Sequence, residues 1–228
     1  MSLNSWKPII EAGSNAELGQ LVTAMGPTTL SRARGVRTNP TTELWIIQKY
    51  LSIRMVASTL EFPLVLHSGD RPDFRLDQAG EVTGFEVTTA TYPATEIARQ
   101  QAYELDLPTY SLSAVARSIS TVATRADEIR YHLLDQKAHN PGYRGSEVEV
   151  ELFALLDQAI LKKLDALNKT GFERFPLNHL LIYENTGLPM IHWSDLDVQQ
   201  LRQRNTDFCG IRFDRITILS NGELIEVV

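Results

Sequence analysis

Cysteine is nearly absent: Cys209 is the only one in the chain. A single thiol excludes an internal disulfide, and without a CxxC pair or a Cys/His cluster there is no ligand set for a structural zinc. Long apolar runs are missing too. No stretch approaches the roughly 18 apolar residues of a membrane span, and the opening MSLNSWKPII lacks the charged leader and apolar stretch that export uses. These absences predict a cytoplasmic chain in a reducing compartment, with no membrane partner. Basic charge is not in excess, since 22 Lys and Arg stand against 28 Asp and Glu for a net of −6. Indiscriminate coating of nucleic acid or anionic lipid is thereby excluded, although a local basic patch is not. GxxxxGK[ST], GxGxxG and GxSxG do not occur, so phosphate-cradling loops and a nucleophile elbow lack support. The five histidines are scattered and never take the HExxH spacing that puts two ligands on one helical face.

What is present is an ordinary globular composition, 43% hydrophobic and 22% charged over 228 residues, long enough for one domain with a sizeable core. Residues 1–38 read as an N-terminal accessory segment. It holds a short helix, Asn15 to Met25, and the run SRARGVRTNP, whose Arg32, Arg34 and Arg37 are candidates to grip nucleic-acid phosphates or else form a solvated arm. Residues 39–228 read as a single domain. Asn39-Pro40 is a good helix start, and Leu44, Ile47, Leu51 and Met55, with Trp45 beside them, follow at helical spacing. Extended segments are expected over 60–68, 71–77 and 83–91, the last two joined by a QAGE loop. Helical patterns follow over 95–105 and 109–139. Ser146 with Glu149 matches a capping box ahead of a helix to about Leu167, whose apolar side is Leu152, Leu156, Ile160, Leu164 and Leu167. A buried strand over 177–183, a short helix over 194–204 and a terminal hairpin across Asn221-Gly222 complete the pattern.

The segment GDRPDFRLDQAGEVTGFEVTTAT is where residue types and spacing suggest a reaction. If Gln78–Glu81 closes the hairpin, Asp77 faces Val82, and two-residue steps back place Asp73 opposite Glu86. Directly opposed side chains have Cβ atoms about 4.5–5.5 Å apart, so two carboxylates would converge on one face and repel unless one is protonated or a divalent cation lies between them. Hard oxygen ligands suit Mg²⁺ or Mn²⁺. A three-residue loop with a glycine bulge would instead slip the pairing by one and set Asp73 opposite Phe85.

Pro72-Asp73 followed by Glu86-Val87-Thr88 on the hairpin partner resembles the PD-(D/E)xK nuclease superfamily, and the preceding helix and following helix-then-strand resemble that superfamily's common core. The likeness covers roughly residues 40–105, with a weaker echo at 146–185. It implies an α/β fold with a restriction-endonuclease-like core, a mixed central sheet flanked by helices. It also implies a Mg²⁺- or Mn²⁺-dependent endonuclease hydrolysing phosphodiesters of DNA, with Asp73 and Glu86 as metal ligands and Glu43 as an additional acidic ligand. For Glu43, a favourable acid in the first helical turn is the plainer explanation. Thr88 stands where the superfamily has lysine, and threonine donates one hydrogen bond but no charge. Lys163, at the edge of its helix's apolar stripe, is the first candidate for a substitute cation, or else a lysine whose stem covers apolar surface. Lys49, Arg99 and His67 are the others. The alternative function is a catalytically inactive nuclease-fold module for binding or assembly, and DNA and a second copy of the chain are the partners considered.

Overall fold

A computed structural model describes residues 6–25, 39–92, 145–186, 188 and 191–228. The helical patterns expected over 95–105 and 109–139, together with Arg32, Arg34, Arg37 and Arg99, lie outside the described residues. The fold is α/β. Seven strands, β1 (Lys7–Ala12), β2 (Leu64–Ser68), β3 (Phe74–Gln78), β4 (Glu81–Ala90), β5 (Leu177–Glu184), β6 (Arg215–Ser220) and β7 (Glu223–Glu226), form one mixed sheet in chain order. Pairing is antiparallel from β1 to β4, parallel from β4 through β5 to β6, and antiparallel again at β7.

Four described helices cover the two faces: α1 (Asn15–Ala24), α2 (Asn39–Val56), α3 (Glu147–Leu167) and α4 (Val198–Asp207). Because strand side chains alternate, each strand feeds two cores. Phe74 and Leu76 of β3, Phe85 and Val87 of β4 and Leu181 of β5 pack with Ile46, Ile47, Tyr50 and Leu51 of α2 and Leu18 of α1. Leu180 and Ile182 of β5 and Ile216 and Ile218 of β6 pack with α3 and with Leu201 of α4. The five apolar residues expected to face inward from α3 are all fully buried. Each such Leu or Ile contributes roughly 1.5–3 kcal/mol by leaving water, which fixes α3 across β4 and β5.

Three local expectations need correction. The stripe of α2 is centred on Ile46, Ile47, Tyr50 and Leu51, while Leu44, Trp45 and Met55 are only partly buried; the helix is rotated to give Tyr50 an aromatic partner in Phe85, 5.3 Å between ring centroids. The capping box at Ser146 does not form, because Glu149 turns into the protein and accepts a hydrogen bond from the His192 backbone N–H at 3.0 Å. Finally, part of the segment read as accessory joins the sheet, with β1 pairing along β2 as an edge strand whose irregularity lies between Pro8 and Ile10. Proline suits such an edge, where its missing donor breaks no ladder.

Candidate active site

The hairpin of β3 and β4 sets the geometry. Its turn is Ala79-Gly80, both at positive φ (48° and 91°), and Gln78 pairs with Glu81 and Asp77 with Val82. Phe74 opposite Phe85 closes the described ladder, so the register brings Asp73, one residue before β3, level with Glu86; the slipped alternative is not adopted. Since Phe85 and Val87 point into the α2 core, Glu86 points to the α3 face.

Asp73 is tied on both sides. Its carbonyl accepts from the Gly69 N–H at 2.9 Å toward β2, and its Oδ2 accepts from the Val87 N–H at 2.7 Å toward β4, continuing the ladder with a carboxylate in place of a peptide oxygen. Glu86 is 6% exposed. One of its oxygens, Oε1, accepts from Lys163 Nζ at 2.5 Å, and the other, Oε2, is buried with no hydrogen-bond partner. The same ammonium lies 4.0 Å from Asp73 Oδ2. Lys163 reaches this point because α3 lies on β4 and β5 through its apolar side, leaving the residue three positions after Ile160 over the edge of that contact. Lys163 thus meets both acidic residues.

Electrostatics follow from burial. The Asp73 carboxyl is pushed up to about 8, first by burial and then by repulsion from Glu86, with Lys163 and the Val87 N–H opposing the shift. Glu43, on α2, is raised by burial and by the charges of Glu86 and Asp70, and lowered by Lys163. It therefore feels the same cluster. It also lies beyond the first turn of α2, which begins at Asn39 and has no acidic residue there, so a helix-terminus role does not account for it. Thr88 shares the Glu86 face of β4, opposite Ile182 of β5, and is partly exposed. Among the described residues no three His, Cys, Asp or Glu side chains converge as a ready-made metal cage.

Further groups lie on the same face of the sheet. Arg75, two residues after Asp73, donates to both Asp77 oxygens at 2.8 Å and lies 5.9 Å from the Phe175 ring centroid. His67 Nε2 is 3.3 Å from Asp77 Oδ2 without hydrogen-bond alignment. Arg75 and Asp77 were legible as the i+2 and i+4 partners of Asp73, since a strand places alternate residues on one face. Lys49 stands apart from the cluster, over the Trp45 ring at 5.7 Å.

A buried histidine lies on the opposite face. His179 is stacked on Phe85 at 4.6 Å and is bonded through Nε2 to Thr217 Oγ1 at 2.7 Å; that hydroxyl donates to Glu226 at 2.8 Å. Burial, with Arg215 and Arg54 nearby, lowers its pKa to about 3, so the ring is neutral. Thr217, with its hydroxyl proton given to Glu226, accepts from a His179 protonated at Nε2. This hydrogen-bonded series joins β5, β6 and β7 on the α2 face of the sheet, away from Asp73 and Glu86, and runs from buried His179 and Thr217 to Glu226 at the surface. Among the described residues no helix is long and apolar enough to cross a membrane. Comparisons with protein-family models, curated proteins and solved structures find no match for this chain.

Proposed function

We propose that the chain is a divalent-metal-dependent nuclease of the PD-(D/E)xK kind, hydrolysing phosphodiester bonds of DNA, in which Lys163 supplies the positive charge that Thr88 does not. The observation that carries this reading is the Lys163 ammonium bonded to Glu86 and within ion-pair distance of Asp73, on the face where a lysine at position 88 would stand. The order helix α2, strand β2, hairpin β3–β4, helix α3 and parallel strand β5 supports a restriction-endonuclease-like core.

The donor set fits a hard cation. Glu86 Oε2 is a buried acceptor without a partner, which is costly unless a cation or proton completes it. Asp73 and Glu86 would hold the ion, with Glu43 adding negative charge nearby. Mg²⁺ commonly binds through one or two carboxylates plus water and substrate phosphate, so a pair of protein carboxylates suits it. A divalent ion bound there supplies a Lewis acid that acidifies a water and polarises a phosphodiester. Lys163 stabilises charge developing on the phosphate, and it does so from a partly buried position where an ammonium interacts more strongly than in water. The Val87 N–H fixes the orientation of the Asp73 carboxylate.

The experiment is plasmid cleavage by the full chain with Mg²⁺ or Mn²⁺, set beside Asp73→Asn and Lys163→Met. Metal-dependent nicking by the parent, lost in both variants, is the expected result. A second reading, an inactive binding or assembly module, is favoured by one observation: the Lys163–Glu86 ion pair already gives Glu86 a counter-charge without metal. A parent inert toward duplex DNA, single-stranded DNA and RNA with either metal decides for that module.

A further inference from the structure

We propose that Trp6 and Phe175 form a stacking wall for one unpaired nucleobase beside Asp73, so that the strand cut is single-stranded or locally opened DNA; this deepens the nuclease reading and rests on it. Both rings are seated on glycines of the sheet face that carries the acidic pair. Gly69 continues the β2–β3 ladder opposite Asp73, its N–H donating to the Asp73 carbonyl at 2.9 Å. A Cβ at Gly69 would lie 2.3, 2.5 and 2.9 Å from Cζ3, Cη2 and Cε3 of Trp6. Gly84 pairs with Arg75 and shares a face with Glu86, two residues on, and a Cβ there would lie 2.5 Å from Phe175. The rings thus approach β3 from its two sides and meet edge-on, 5.6 Å between centroids and at 71°.

Neither ring belongs to the apolar core on either side of the sheet, although both are large and only partly buried. Their surroundings are fixed by polar contacts. The Trp6 indole N–H donates to Glu173 Oε2 at 3.1 Å, the Glu173 N–H donates to the Arg71 carbonyl at 3.0 Å, and Arg75, 5.9 Å from the Phe175 centroid, is held by two hydrogen bonds to Asp77. The wall is therefore ordered before a ligand arrives, which lowers the cost of binding. Because Asp77 matches the charge of Arg75, the wall offers π surface rather than net positive charge, which suits a base and not a phosphate. Directly opposed strand positions hold their side chains about 4.5–5.5 Å apart, so a phosphodiester bound at Asp73 brings its adjoining base to the Trp6 ring over Gly69. A base inside a duplex is stacked on both faces and out of reach, so the occupant is unpaired.

The test is fluorescence titration of the full chain carrying Trp45→Phe and Trp193→Phe, which leaves Trp6 as its tryptophan. The probes are a short oligothymidylate and an abasic oligonucleotide of the same length, in Ca²⁺ as a hard cation for the carboxylate pair. Oligothymidylate should quench Trp6 and bind about tenfold tighter than the abasic strand, and a duplex should quench far less. Trp6→Leu in the parent should lower oligothymidylate affinity to that of the abasic strand without changing abasic binding, while Trp6→Phe keeps most of the preference. Equal affinity for the two strands in the parent, or a preference retained in Trp6→Leu, would overturn the wall and leave the nuclease reading to plasmid cleavage. Should Trp6→Leu lose abasic binding as well, the intact Trp6 decides: no quenching by bases overturns the wall. Failure of both strands to bind, with a parent inert in plasmid cleavage, would overturn the nuclease reading itself.

Discussion

Asp73 is a partly buried carboxyl with one backbone donor, an ammonium at 4.0 Å and acidic neighbours in Glu86 and Glu43. Its folded pKa of about 8 lies above the unfolded value of about 3.9, so between those limits the folded state retains a proton that the unfolded chain has released. Stability then falls as pH rises, being fully present below the unfolded pKa and lost through the folded one. The urea midpoint of the parent should decline from pH 5 to pH 8.5, the decline should flatten in Asp73→Asn, and millimolar Mn²⁺ should restore stability at the alkaline end. Glu86 and Lys163 are not equivalent partners. Lys163→Met leaves Glu86 buried without its counter-charge and should cost about 3–5 kcal/mol, whereas Glu86→Gln removes the repulsion along with the ion pair and should cost about 1–2 kcal/mol. Urea denaturation of both variants checks the order. Thr88→Lys places a second ammonium on a face Lys163 already serves, so in cleavage assays it should lower parental activity yet restore activity to Lys163→Ala.

Elements explain why this site was partly legible in the sequence. The β3–β4 hairpin was readable because turn length and two-residue steps determine which side chains meet, so the level placement of Asp73 and Glu86 followed from arithmetic. Lys163 was found as a position on a helix edge, but its ion pair depends on how α3 lies across β4, which periodicity does not encode. Glu149 shows the limit most clearly, since a capping partner three residues away lost to the backbone of His192, 43 positions along. The first hairpin also keeps a weak turn residue. Ala79-Gly80 has φ angles of 48° and 91°, close to the 49° and 84° of Asn221-Gly222 in the terminal hairpin. Asparagine tolerates this left-handed region better than alanine, so Ala79→Asn should stabilise the protein by about 0.5–1 kcal/mol in thermal or urea unfolding. Gly84 has the opposite constraint, because an added Cβ would lie 2.5 Å from Phe175 and 3.1 Å from Pro72. Gly84→Ala should cost about 1–3 kcal/mol, and a double-mutant cycle with Phe175→Ala should show that the two changes do not add.

At the scale of the molecule, one sheet separates two kinds of interior. The α1–α2 face is an apolar core on which neutral His179 stacks through Phe85, while the α3 face carries the charged row of Asp73, Glu86 and Lys163 at the margin of a second apolar core. The class of fold was legible from alternating patterns, because strands and helices differ in period. The seven-strand order was not, since β1 is a half-exposed strand whose sequence, KPIIEA, carries little alternation and whose partner β2 lies some 50 residues on. The central claim is that Asp73 and Glu86 form a divalent-metal site beside Lys163, and diffraction from crystals soaked in Mn²⁺, recorded for anomalous scattering, tests it most directly. The account predicts one anomalous peak about 2.1 Å from Glu86 Oε2 and from an oxygen of Asp73, with Lys163 still beside Glu86. A fully soaked crystal with no peak between those two carboxylates would contradict it.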